Sequence, residues 1–187
     1  MANENKMQYV ILGLLSHEPM TGYELKKRMD TTMSLFWSGS FGSIYPTLQK
    51  LKSQGAVVAK EDDSDEGRSK ITYEITNQGL EVLRDWLREP VLKDEIKYET
   101  LLKMFFGSEI GQQEIMKHVE SFKGRTAAVL PGLEKSVEVL KGLDEEPAHE
   151  YYMLTAMFGV RMYEASLAWC RDVEEHFSAK EKGKKKG

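Results

Sequence analysis

Residues 41–55 of the chain read FGSIYPTLQKLKSQG, and this segment is the most informative about the fold. Ile44, Leu48 and Leu51 recur at the spacing of one apolar helix face, which predicts a helix with a buried underside. Pro46 is expected in the first turn, where its missing amide donor has no helical partner, and the final glycine is a typical helix end. The first turn carries small hydroxyl and aromatic side chains instead of more core. We therefore expect this end of the helix to face a binding partner.

Two further helices are predicted upstream of this stretch. Apolar residues recur with helical spacing between Met7 and Leu15, which indicates a first helix with one buried stripe. Thr21, followed three residues later by Glu24, forms the capping-box pattern of a helix start. A second helix is therefore expected over about Gly22 to Met29.

Downstream, the pattern changes from helical to β spacing and back. Two β-prone runs, AVVAK and ITYEIT, flank the polar segment EDDSDEGRS and together predict a hairpin. A fourth helix follows over about Asn77 to Arg88, and Pro90 breaks its pattern. Its inward face is expected to consist of Leu80, Leu83 and Leu87.

The remainder of the chain is predicted to be helical, beginning with about Glu95 to Phe106. Pro131 interrupts the next apolar repeat, and we expect a kink or a break there because an interior proline costs about 3 kcal/mol. The last helix, about Ala148 to Phe177, is apolar nearly all round between Tyr151 and Trp169, which indicates packing in a dimer. The coiled-coil-like seam before it consists of Ile115, Val119, Phe122, Thr126, Val129, Leu133, Val137 and Leu140.

Composition excludes several classes of protein. The chain has 187 residues, 41% of them hydrophobic, a net charge of −4 and one cysteine, Cys170, so no disulfide can form within it. Neither a signal peptide nor a membrane-spanning run is recognisable, so a cytoplasmic location is expected. We expect neither an enzyme nor a cofactor, because no phosphate loop or activated nucleophile is visible. No metal site is expected either, since the four histidines, His17, His118, His149 and His176, lack ligand spacing.

Local charge points to a different conclusion from net charge. Between Met20 and Gln54 five basic residues stand against two acidic ones, so the stretch that includes the second and third helices is basic. Three helices followed by a hairpin, with the polar, basic face on helices two and three, are the order of a winged helix-turn-helix. The major groove of duplex DNA accepts one such helix, whose first residues reach the base edges. We therefore predict a DNA-binding protein.

Four segments carry a resemblance to a known family. YVILGLL, TGYELKKRM, FGSIYPTLQKLKSQGAVV and GRSKITYEITNQG, in this order, resemble the PadR-like transcriptional regulators over about Met7 to Trp86. The resemblance implies a homodimeric repressor whose two recognition helices enter successive major grooves of a pseudo-palindromic operator. The helical remainder resembles the dimerisation domain of that family more loosely.

The expected fold is mainly α, with an N-terminal winged helix-turn-helix that carries a two-stranded β-wing and a C-terminal all-helical dimerisation domain. Its predicted domains are residues 1–90 for DNA binding, 91–178 for dimerisation and 179–187 as a disordered basic tail. The predicted DNA-binding residues are Thr21, Ser38, Ser40, Ser43, Tyr45, Pro46, Gln49, Lys50, Lys52, Arg68 and Lys70.

Aromatic side chains are frequent in the C-terminal half, which could hold a small, flat aromatic effector or form the dimer interface. The candidates for these roles are Phe105, Tyr151, Tyr152, Phe158, Tyr163 and Trp169.

Two alternatives stay open at this point. Tyr45 is either a DNA contact or a partly buried tyrosine that packs against the protein itself. The wing tip EDDSDEG places five carboxylates where phosphates would approach, which weakens non-specific DNA binding and favours a winged-helix protein-interaction module without DNA binding. Salt separates these two functions, because only phosphate contacts make affinity fall steeply with ionic strength.

Overall fold

The chain folds into two compact units, Met1–Asp94 and Glu95–Gly187, each with its own core. No helix in the described part of the chain is long and apolar enough to cross a bilayer. Arg68 and residues 63–67 of the acidic wing tip belong to the sequence predictions but lie outside the described residues. The computed structural model describes residues 6–34, 36–62, 70–94, 97–143 and 146–184.

Four α-helices form most of the first unit. They are α1 (Met7–Leu15), α2 (Gly22–Arg28), α3 (Phe41–Ser53) and α4 (Asn77–Arg88). A π-helical turn, Met29–Met33, extends α2 beyond its predicted end. The predicted capping box is present, since Glu24 N–H donates to Thr21 Oγ1 at 3.2 Å and Thr21 N–H donates to Glu24 Oε2 at 2.8 Å.

The predicted two-stranded wing is present, and a third, short strand joins it in an antiparallel sheet. β2 (Val57–Asp62) and β3 (Lys70–Ile75) form the predicted hairpin, and the short β1 (Met20–Thr21) pairs with the other edge of β3. Met20 lies opposite Tyr73, and both side chains are buried. The short strand therefore ties the start of α2 to the base of the wing.

The underside of α3 is part of the core of this unit, as its apolar spacing predicts. Ile44 and Leu48 are fully buried, and Thr47 joins them because its hydroxyl donates to the Ser43 carbonyl at 2.7 Å. A polar residue is tolerated in a core when its hydrogen-bonding capacity is used inside the helix. Besides these residues, the core contains Met7, Tyr9, Ile11, Leu12, Leu15, Met20, Leu25, Met29, Leu51, Ala56, Val57, Tyr73 and Leu83.

The expectation for Pro46 is wrong, because α3 begins at Phe41 and places the proline beyond the first turn. The ring nitrogen cannot donate to the carbonyl of Gly42, so one hydrogen bond of the helix is missing on its exposed side. At the other end, Gly55 has φ +72° and the chain makes the two bonds of a Schellman motif. Ala56 N–H donates to Leu51 O at 2.9 Å, and Gly55 N–H donates to Lys52 O at 3.0 Å.

The residues just after α3 are also bound to the start of α4. Thr76 Oγ1 donates to Gly55 O at 2.7 Å, and Gln78 Nε2 donates to Gln54 O at 3.1 Å. A Cβ atom on Gly79 would lie 2.2 Å from Ala56 O, so only glycine permits this approach. The carboxyl end of α3 is therefore anchored by hydrogen bonds to the backbone carbonyls that follow it.

One inward residue of α4 was predicted incorrectly. Leu83 is buried, but Leu87 is 64% exposed. Its place against the core is taken by Trp86, which stacks on Tyr9 with ring centroids 4.4 Å apart and planes 4° apart. The stack joins α4 to α1.

In its described residues, the second unit contains three helices and one 3-10 turn. They are α5 (Glu99–Phe105), the turn Gly107–Glu109, α6 (Gly111–Lys141) and α7 (Pro147–Lys184). The break considered at Pro131 does not occur, because α6 continues through that residue. α7 extends to Lys184 and includes residues from 179 onward for which the lysine-rich composition predicts disorder.

Helices α6 and α7 pack against each other. Ile115, Val119 and Cys170 are buried between them, and Lys123 Nζ pairs with Glu174 Oε1 at 2.8 Å. Cys170 is fully buried in this cluster, so it is a packing residue, and burial raises the pKa of its thiol. Most of the predicted seam faces α7, but Val129 is 45% exposed and is the exception.

Candidate nucleic-acid interface

The start of α3 carries the small hydroxyl side chains that the sequence predicts, with Ser40 exposed and Ser43 half-buried. Ser40 lies just before the helix, where its N–H donates to Ser43 Oγ at 3.1 Å. Ser43 Oγ in turn donates to Ser40 O at 2.8 Å. These bonds order the turn with small side chains, so the backbone stays accessible to a phosphate or a base edge.

A row of three exposed aromatic rings lies beside this turn. Phe41 stands between Tyr23 and Tyr45, with ring centroids 6.5 Å and 6.1 Å away and planes within 13° and 24° of parallel. The three side chains are 44%, 65% and 45% exposed respectively. Sequence reasoning identified only Tyr45, because an aromatic residue near an apolar helix is ordinarily assigned to the core.

Tyr45 packs against the protein itself, as one of the two alternatives predicts, and it is also partly exposed. Its ring lies on the backbone of Gly22, where an added Cβ would be 2.6 Å from the ring carbon Cε1. The packing against α2 fixes the ring, while nearly half of the side chain stays open to solvent. A fixed, exposed tyrosine is suited to binding because little conformational entropy is lost on contact.

Uncompensated positive charge lies further along α3. Lys50 and Lys52 are exposed, and neither forms an ion pair with any residue that the structure describes; the same holds for Lys27 of α2. By contrast, Lys26 pairs with Asp30, and Arg28 pairs with Glu18 at 2.6 Å. Gln49 is also exposed and can donate and accept hydrogen bonds.

Two of the predicted DNA-binding residues, Thr21 and Lys70, both bind the carboxylate of Glu24 at the base of the wing. Lys70 Nζ lies 3.1 Å from Glu24 Oε1, and Thr21 binds the other oxygen of the same carboxylate. The backbone hydrogen bond from Thr21 and the side-chain bond from Lys70 hold the pKa of Glu24 below its ordinary value. Both residues therefore order the start of α2 in this structure.

The structure brings most of the predicted DNA-binding residues to neighbouring positions. The start of α2 meets the exposed side of α3 where Tyr45 covers Gly22, and it meets the wing where Glu24 binds Lys70. Ser38 is exposed in the segment before α3, and Arg68 lies outside the described residues. The residues on or next to α3 are Ser38, Ser40, Ser43, Tyr45, Pro46, Gln49, Lys50 and Lys52.

The aromatic residues predicted for an effector or a dimer interface occupy different environments in the second unit. Tyr163 and Trp169 are half-buried, and Trp169 packs edge-on against Phe122 with centroids 6.1 Å apart. Burial raises the pKa of the Tyr163 hydroxyl. Four others are exposed, namely Phe105, Tyr151, Tyr152 and Phe158.

Comparison with known proteins extends over both units. Residues 11–85 match the model of the transcriptional regulator PadR-like family, and residues 96–178 match the model called virulence activator alpha C-term. The negative transcriptional regulator PadR of Bacillus subtilis is 30% identical over 135 residues, which cover 72% of this chain and 74% of the relative.

Solved structures of the same relative also match. Bacillus subtilis PadR in complex with operator DNA is 25% identical with a TM-score of 0.79, over 92% of this chain and 98% of that chain. The same protein in complex with p-coumaric acid is 27% identical with a TM-score of 0.68, over 89% of this chain and 95% of that chain.

Proposed function

Since this chain belongs to the PadR-like family of transcriptional regulators, we propose that it is a cytoplasmic repressor that binds operator DNA as a homodimer. The recognition element is α3, and the wing lies against the flanking backbone. A pseudo-palindromic operator follows from the two-fold symmetry of such a dimer.

The observation that carries this proposal is the two-sided character of α3. Its underside is buried through Ile44, Leu48 and Leu51, whereas Tyr45, Gln49 and Lys52 stand exposed on the other side. A helix that is held from below and presents aromatic, amide and ammonium groups above has the shape and chemistry that a major groove accepts. The structure of the related PadR in complex with operator DNA supports the proposal that this chain binds DNA.

Dimerisation is assigned to the second unit. On α7, Tyr151, Leu154 and Phe158 lie three and four residues apart, and they are 68%, 51% and 58% exposed. Apolar side chains at this spacing share one helix face, so a second copy of the chain could bury them. In the dimer, the two copies of α3 must be one helical turn of DNA apart, about 34–36 Å.

The proposal is tested by selecting duplexes from a random pool with the purified protein and measuring the affinity of the selected duplex at several salt concentrations. Gln49→Ala should lower affinity for that duplex more than for unrelated DNA, because an amide reads base edges. Lys52→Gln should weaken both, and should reduce the slope of log affinity against log salt by about 0.9 for each phosphate that is no longer neutralised.

Lys135→Gln is the matched control, since Lys135 is an exposed lysine on α6 in the other unit. It should leave affinity and slope unchanged. Failure to enrich any duplex, or an affinity that does not respond to salt, would refute DNA binding and favour the protein-interaction alternative.

A small aromatic effector is the second part of the proposal. Support comes from the p-coumaric acid complex of the related PadR and from the half-buried aromatic residues Tyr163 and Trp169 of this chain. An effector that binds the second unit could shift the dimer away from the spacing that fits the operator. Titrating p-coumaric acid into the protein–duplex complex should then release the DNA; unchanged DNA binding would contradict this part alone.

A further inference from the structure

The first residue of α3 presents a side chain that no core requirement explains. Phe41 is 44% exposed, and its ring neighbours, Tyr23 and Tyr45, are exposed as well. We propose that Phe41 is a specificity-determining residue that contacts the C5 methyl group of one thymine in each operator half-site. This inference rests on the proposed DNA-binding function.

The geometry holds the Phe41 ring in a defined place. Tyr23 and Tyr45 flank it at centroid distances of 6.5 Å and 6.1 Å, within the range of favourable aromatic pairs. Tyr45 is itself fixed by its contact with Gly22. The ring is therefore positioned before DNA arrives, so the entropy lost on contact is small.

The chemistry of the major groove limits what a phenyl ring can recognise. Phenylalanine has no hydrogen-bonding group, so it cannot read the donors and acceptors that distinguish most base edges. Thymine alone among the four standard bases adds an apolar group, its C5 methyl, to that groove. A ring at the leading turn of α3, where base contacts of such helices concentrate, is thus matched to thymine.

The residues around Phe41 favour DNA as the partner over an apolar protein surface. Lys50 and Lys52 of the same helix and Lys27 of α2 are exposed and lack ion pairs with the described residues. Gln49 stands two turns after Phe41 on the exposed side. Cations and an amide beside a small aromatic row are the combination that binds phosphates and reads base edges at once.

The test removes the methyl group and nothing else. In the duplex selected by the wild-type protein, each thymine is replaced singly by uracil, which keeps the base pair and its O4 acceptor. One position in each half-site should weaken binding by about fourfold, the effect of removing one buried methyl-sized group. Phe41→Ala should bind the thymine duplex more weakly and should no longer distinguish thymine from uracil at that position.

Two further variants make the result specific. Phe41→Leu keeps an apolar side chain and should retain part of the preference for thymine, and thermal unfolding of both Phe41 variants reports whether the first unit stays folded. Leu87→Ala, a truncation of an exposed apolar side chain on α4, should keep the full preference.

The outcomes separate this inference from the proposed function. If no duplex is enriched, the proposed function itself fails. If a duplex is bound but uracil is tolerated at every position, or if Phe41→Ala keeps the preference for thymine, the assignment of Phe41 is overturned while DNA binding stands. Weaker binding by Phe41→Ala with an intact preference would place Phe41 against the sugar-phosphate backbone instead.

Discussion

Tyr45 packs against α2 and is also exposed to solvent, and this is possible because the residue beneath its ring is Gly22. Its ring covers Gly22 at the start of α2, while its outer edge extends the row formed with Phe41 and Tyr23. The exposed surface and the contact between α2 and α3 therefore depend on the same side chain. A change at Gly22 should affect recognition without entering the DNA-binding surface.

Gly22→Ala is predicted to displace the ring of Tyr45. The new Cβ would lie 2.6 Å from Cε1 and 2.8 Å from Cζ, atoms at the far end of a side chain that can swing outward. Stability should change by no more than about 1 kcal/mol, whereas affinity for the selected duplex should fall about tenfold because the ring loses its fixed position. Fluorescence anisotropy and thermal unfolding measure the two quantities.

Gly13→Ala is the control for that prediction, because no atom would lie within 4 Å of its Cβ. It should raise stability by about 0.5–1 kcal/mol through helix propensity and leave DNA binding unchanged. Equal losses of affinity in both variants would contradict the role assigned to Tyr45.

Glu24 carries a prediction about pH. Its hydrogen bonds from Thr21 and Lys70 lower its pKa in the folded state below the ordinary 4.5. A group with a depressed pKa stabilises the fold above its unfolded value, and the contribution is lost as pH falls through the folded value. Because the side chain is 45% exposed, Glu24→Gln should cost at most about 0.5 kcal/mol at neutral pH.

The difference in melting temperature between Glu24→Gln and the wild type should therefore shrink as pH is lowered below the ordinary value of 4.5. Thr21→Ala serves as the comparison, since removal of a cap costs about 1 kcal/mol and part of that cost should persist in acid. A difference for Glu24→Gln that grows on acidification would contradict the sign.

In α4, the sequence pattern and the tertiary packing differ in which residue faces the core. We predict that Trp86→Ala costs about 2 kcal/mol or more, because it removes the stack on Tyr9 and opens a space between α4 and α1. Leu87→Ala should lie within about 0.5 kcal/mol of the wild type, since the side chain is 64% exposed. Urea unfolding of both variants measures this, and the reverse order would refute the assignment of the inner face.

The sequence predicts α4 with the bounds that the structure shows. It assigns Leu87 to the inner face of the helix, however, whereas the structure has Trp86 there. Spacings of three and four residues both fit a helix face, and only the partner ring of Tyr9 on α1 decides between them. β1 escapes detection for a similar reason, since two residues are too few to alternate and their pairing with β3 is a long-range contact.

The candidate site was predictable in part. Tyr45 and Gln49 follow from the helical spacing of α3, because residues off the apolar face must be exposed. Phe41 and Tyr23 did not follow, since their exposure depends on how α2 packs beside α3. Phe41 lies three residues before Ile44, so helical spacing alone assigns it to the apolar face, and only the structure shows that it is exposed.

In the proposed function, the first unit binds DNA, the second unit dimerises, and the two activities are linked. Leu154→Glu places a charge in the exposed apolar face of α7 and should produce a monomer in sedimentation experiments, because burying an unpaired carboxylate is costly. Operator affinity should then fall by about 100-fold, since the second half-site no longer binds intramolecularly. Leu87→Glu, on an exposed position of the first unit, should stay dimeric.

The attachment of α3 at residues 54–56 has a consequence for how such a regulator can change its target. The contacts from Thr76, Gln78 and Gly79 all lie at the carboxyl end of the helix, and none of them involves the side chain of Phe41 or Gln49. If Phe41 and Gln49 read bases as proposed, substitutions at these two positions would change the preferred operator while every anchoring contact is retained. Evolution or protein engineering could then direct this fold to a new promoter by substituting a few surface residues of one helix.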